Sequence, residues 1–97
     1  MTLKEFTQTL SNDSPPQNIS KVLEALWHDG KGDWITAHEI AQTQEGVQSY
    51  DQLHAYLHRK EGDNWNANYW YKRAKITMPD TNLVQEWTGL VQEQLVT

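Results

Sequence analysis

The chain has 97 residues, no cysteine, 22% charged residues and a formal net charge of −5. These values describe one small domain, rule out disulfides and thiolate metal sites, and argue against general nucleic-acid binding. No segment has the length and apolarity to span a membrane, and no apolar run follows a basic start, so a cytoplasmic protein is expected.

Leu3, Phe6 and Leu10 fall three and four apart, which predicts a short opening helix with Thr2 as its N-cap. Asn12-Asp13-Ser14-Pro15-Pro16 breaks it, because a residue before proline is pushed out of the helical region. Residues 1–16 are therefore read as a helix and a proline-rich break, set apart from the rest and free to pack loosely or reach a partner.

Residues 17–46 read as a helical hairpin. Its first helix runs from about Gln17 to His28 on the stripe Ile19, Val22, Leu23, Leu26 and Trp27. Asp29-Gly30-Lys31-Gly32 ends it, and Asp33 caps a second helix bearing Trp34, Ala37, Ile40, Ala41 and Gln44. Residues 47–79 repeat the plan. A helix from about Val47 to Lys60 packs on Tyr50, Leu53, Ala55 and Leu57, turns at Gly62-Asp63, and is followed by a helix with Ala67, Trp70, Tyr71 and Ala74 that stops before Met78-Pro79. Residues 80–97 form a closing helix, opened by Asp80 or Thr81, with Leu83, Val84, Trp87, Leu90, Val91 and Leu95 on one side. Gly89 weakens it by roughly 1 kcal/mol relative to alanine. No stretch alternates as a strand does, so the predicted fold is all-α with five or six helices.

The two hairpins echo each other at a step of 30. Leu23, Ala25, His28, Gly32, Asp33 and Ala37 match Leu53, Ala55, His58, Gly62, Asp63 and Ala67 without a gap. Glycine permits the turn, aspartate satisfies free helix N–H groups, and alanine lets helices approach. On Ala55, the Gly62-Asp63 turn, Ala67 with Tyr71 four later, Ala74 and Pro79, the chain resembles the tetratricopeptide repeat, which implies stacked helical hairpins. It departs from that pattern at Glu24, His28, Ala41, His54 and His58, and in its spacing of 30. The run from His54 to Asp63, followed by Asn66 to Ala74, also looks like a family of small bacterial proteins of unassigned function. That resemblance implies a shared block without an activity.

Candidate site residues cluster in this block. From Arg59 to Lys75 lie five basic and two acidic residues, a local +3 that leaves −8 for the rest. His54 and His58 are four apart on one helix face, a spacing able to chelate a metal, with His38, Glu39 and Glu61 as further donors. Against that stands the echo of His58 at His28, which points to packing. Arg59 can clamp a carboxylate or phosphate, or join Glu61, Asp63 and Asn66 in a capping network. Tyr69, Trp70 and Tyr71 are consecutive, so Tyr69 is left near the surface beside Arg73, where it can stack on a planar ligand. His38 or His58 with Glu39, Glu61 or Asp63 can also make a general base and its orienting carboxylate, although no nucleophile pattern accompanies them.

The leading expectation is thus a non-catalytic interaction module. It binds a protein segment or small anionic ligand through His38, His54, His58, Arg59, Glu61, Asn66, Tyr69 and Arg73, with no cofactor, and a homodimer can form through the closing helix. The alternative is a metal protein or acid–base enzyme built on His38, His54, His58 and Glu61. The first predicts scattered histidines and an open surface near Arg59, Tyr69 and Arg73. The second predicts that His38, His54 and His58 meet.

Overall fold

The computed structural model describes residues 1–96, and these form six α-helices with no strand among them. The helices are α1 (Leu3–Gln8), α2 (Lys21–Gly30), α3 (Trp34–Ala41), α4 (Gln48–Lys60), α5 (Asn64–Arg73) and α6 (Leu83–Leu95). Short 3₁₀ turns extend α1 over Thr9–Ser11 and α3 over Gln42–Gln44. No helix among the described residues is long and apolar enough to cross a membrane.

Capping residues set most boundaries. Thr2 and Glu5 form a reciprocal capping box at α1, and Asn82 with Gln85 does the same at α6. The closing helix therefore opens at Asn82, one or two residues later than Asp80 or Thr81. Ser20 accepts from the Leu23 amide at 3.1 Å, so α2 starts at Lys21 and not near Gln17. Asn18 sits at φ +63°, a left-handed conformation that no helix interior tolerates.

The step of 30 is conformational as well as chemical. Gly32 and Gly62 have φ of +85° and +88°, and the amides of Asp33 and Asp63 each donate to the carbonyl of the matching histidine, His28 or His58, at 2.9 Å. Asp33 and Asp63 then cap α3 and α5. A Cβ at Gly62 meets nothing within 4 Å, so only the backbone opposes a side chain there. Gly62→Ala is expected to lower the unfolding free energy by about 1 kcal/mol in urea titrations; an unchanged midpoint would contradict the left-handed turn.

Packing runs in sequence order: α2 on α3, α3 on α4, α4 on α5, with α2 also touching α4. α6 then turns back onto α1, α2 and α4. The face made by the first helices of both hairpins is thus covered by the chain's own ends. Phe6 is fully buried against Trp87, and Lys31 holds the Leu10 and Asn12 carbonyls. The opening helix therefore belongs to the core, contrary to the detached segment expected from its prolines. Gly30 explains the close fit, since a Cβ there lies 3.0 Å from Leu10 and 3.3 Å from Trp87.

Three tryptophans fasten the layers. Each indole N–H removed from water needs an acceptor: Trp27 finds the Thr9 carbonyl, Trp34 that of Leu57, and Trp87 that of Leu26. Three carboxylates are buried among the described residues, and Asp51 accepts from the Gly46 amide at 3.1 Å. Asp29 accepts from the Tyr56 hydroxyl at 2.7 Å and from Lys60 at 2.9 Å. Glu86 accepts from Arg59 at 2.7 Å and from the Tyr71 hydroxyl at 2.5 Å.

Candidate metal centre

α4 is the central helix, buried from Leu53 to Leu57 without interruption. His54 lies on the side that faces α3 and α5, and His58 follows one turn later. His38 projects from α3 toward both. The three imidazole rings form a near-equilateral triangle with centroid separations of 4.7, 5.1 and 4.9 Å, and one ring nitrogen of each lies within 4.8 Å of the others. The closest pair is His38 Nε2 and His54 Nε2, at 3.0 Å.

Tryptophans bracket the triangle. Trp34 stacks on His38 at 4.6 Å and 10°, and Trp70 stacks on His54 at 3.9 Å and 17°. The sequence offered a signal for the first, since Trp34 and His38 are four apart on one helix; Trp70 reaches His54 only through the packing of α5 on α4. His58 Nδ1 lies 2.6 Å from Glu61 Oε2, a carboxylate oxygen that accepts its proton in a hydrogen bond. With the proton on Nδ1, His58 keeps its Nε2 lone pair for a ligand, the usual carboxylate–histidine support of a metal ligand.

Burial disfavours the charged forms of two of these histidines. Burial, then the charges of His38, His58 and Arg73, pushes the His54 pKa down to about 3. Burial, then His58, also lowers that of His38, against a smaller opposing pull from Glu61 and Glu39. Between the folded and unfolded pKa the unfolded chain binds more protons, so stability must fall as pH drops from about 6.5 toward 3. Thermal melts of chelator-treated protein should show that slope, and His54→Gln should reduce it. An equal slope in the variant would mean that other groups carry it.

His54 Nδ1 is buried and has no hydrogen-bond partner. An orphaned buried polar atom costs about 1–3 kcal/mol, and it is the Nε2 of the same ring, not this Nδ1, that faces His38. The donor spacing fits an ion. Metal–nitrogen bonds of 2.0–2.1 Å set tetrahedral nitrogens about 3.3 Å apart, between the 3.0 Å pair and the 4.8 Å limit.

The remaining candidates divide. A second group of possible donors, His58, Glu61 and Asp63, is already engaged, because Asp63 caps α5 through the Asn66 amide at 3.2 Å and its side chain at 2.6 Å. Arg59 is engaged by Glu86 and the Thr81 carbonyl. Asn66 thus joins Asp63 in the capping network expected as the alternative to a ligand clamp, while Arg59 is held by Glu86 and Thr81 instead of by that network. Tyr69 and Arg73 instead lie together on the outer side of α5, in a cleft with Trp65, Asn68 and Lys72. Glu86 was missed as a packed residue, although it lies three after Leu83 and four before Leu90 on the stripe of α6. Asp29, Tyr56 and Lys60 were missed without any comparable signal.

The structure therefore defines an all-α domain of two helical hairpins joined by a three-histidine cluster. No protein-family model matches the chain, and neither does any curated protein or solved structure.

Proposed function

We propose that this chain binds one divalent transition-metal ion through His38, His54 and His58, with Glu61 supporting His58. The observation that carries this reading is the meeting of three imidazoles from α3 and α4. Imidazole donors suit zinc, copper and nickel, and the lowered pKa values of His38 and His54 favour the neutral form that a metal requires. His38 and His58 are partly exposed and give the ion its entry. The stacking of α2 through α5 in chain order supports a tetratricopeptide-like pair as the scaffold, with the ion tying one hairpin to the other.

Calorimetric titration of tag-free protein with zinc, nickel and copper tests this. One ion per chain is expected, with tryptophan emission quenched by copper because Trp34 and Trp70 stack on two of the ligands. Glu61→Gln should weaken binding by roughly 10–100-fold, and His54→Gln more. No binding, or binding indifferent to His38 and His54 substitutions, would sink the reading.

A further inference from the structure

We infer that the cleft on the outer side of α5 binds a purine mononucleotide, its base stacked on Trp65 and Tyr69 and its phosphate held by Lys72 and Arg73. This goes beyond the metal site and uses none of its ligands. The cleft has a volume of about 600 Å³ and is lined by Trp65, Asn68, Tyr69, Lys72 and Arg73, within the usual range for small-molecule sites.

Its rings are exposed and its cations have no carboxylate partner among the described residues. Trp65 is 77% exposed and Tyr69 45% exposed, the only large aromatic side chains so exposed among the described residues. Burying neither leaves two π-faces in water, at a place where α5 has no covering element. The rings are 17° from parallel with centroids 6.5 Å apart. A planar ring inserted between two others needs about 7 Å between their planes, twice the 3.5 Å carbon contact distance, and the largely exposed Trp65 must rotate to open a slot of that width. The Lys72 ammonium and the Arg73 guanidinium make no ion pair among the described residues. Arg73 lies over the Tyr69 and Trp70 rings at 5.9 and 5.0 Å, with its Nη1 at 3.4 Å from the Tyr69 hydroxyl. That contact presents the guanidinium beside the slot, where it can meet a phosphate in bidentate fashion. Parallel rings select a planar group, and adjacent cations select an anion attached to it. The chain's net charge of −5 disfavours a long polyanion at the same place.

Titration calorimetry in the presence of chelator separates this proposal from the metal reading. Adenosine monophosphate is the probe, with adenosine, inorganic phosphate and a single-stranded oligonucleotide as the comparison arms. The nucleotide should bind at least about tenfold more tightly than adenosine or phosphate, because both halves of the cleft contribute. Trp65→Ala and Arg73→Gln should each weaken it about tenfold, with helical circular dichroism unchanged because both side chains project into solvent. The proposal is overturned by absence of binding at millimolar nucleotide, by phosphate binding equally well, by indifference to Trp65→Ala, or by a strong preference for the oligonucleotide.

Discussion

Replacing the buried Glu86 with alanine is expected to cost about 3 kcal/mol of unfolding free energy. The Glu86 side chain is 4% exposed and that of Arg59 16%. Removing the carboxylate leaves the guanidinium without its charge partner and leaves the Tyr71 hydroxyl without its acceptor. Burial, then the bond to Glu86, already raises the Tyr71 pKa, so the hydroxyl stays a donor throughout the accessible pH range. Arg59 keeps the Thr81 carbonyl, which places the cost near the lower end of the range for a broken buried pair. Native domains have a total margin of about 5–15 kcal/mol, so the transition should shift strongly in urea. The paired replacement Arg59→Met with Glu86→Leu removes both charges and should recover most of the loss. A loss below about 1 kcal/mol for Glu86→Ala would show that the network is not coupled to global unfolding.

Metal should stabilise the fold by a comparable amount. An ion that binds only the folded chain adds about 2.7 kcal/mol at a free concentration one hundred times its Kd. For a domain near 100 residues this corresponds to a rise in Tm of roughly 10–20 °C. The ligands come from α3 in the first hairpin and α4 in the second, so the ion closes a contact between units and its gain appears in the whole transition. Chelator should return the melt to its starting point. In His54→Gln the added metal should move Tm by no more than a few degrees, whatever that variant's own stability. The same shift in the variant would place the ion elsewhere.

Helix identity was legible because it rests on local chemistry. Thr2, Asp33 and Asp63 cap where their side chains can reach an amide three residues on, and glycine at 32 and 62 supplies the positive φ that the turns require. The apolar stripes of α2, α4 and α6 likewise announce their buried sides through a spacing of three and four. Ser20 and Asn82 show the limit of the same logic, since several polar residues precede each helix and only the folded backbone selects one.

The packing partners were not legible. Proline at 15 and 16 says that the chain breaks there, but not that Phe6 returns to meet Trp87 across 81 positions. The Asp63–Asn66 cap, three residues apart, was open to reading, whereas Arg59 read as an available donor because the sequence does not show Glu86 opposite it.

The histidine block shows the same division. The sequence by itself determined that His54 and His58 share one face of a helix, because a spacing of four on an α-helix allows nothing else. It also determined the Gly62-Asp63 turn and the position of the basic residues that follow. Only the tertiary structure decided that His38 joins them, since that depends on how α3 leans on α4, fixed by the Trp34 indole bonded to the Leu57 carbonyl at 2.7 Å. Burial in the folded chain is the largest cause of the lowered pKa values of His38 and His54. Local spacing sets which face a side chain occupies, whereas the distance between side chains on different helices depends on interhelical packing that no short stretch encodes.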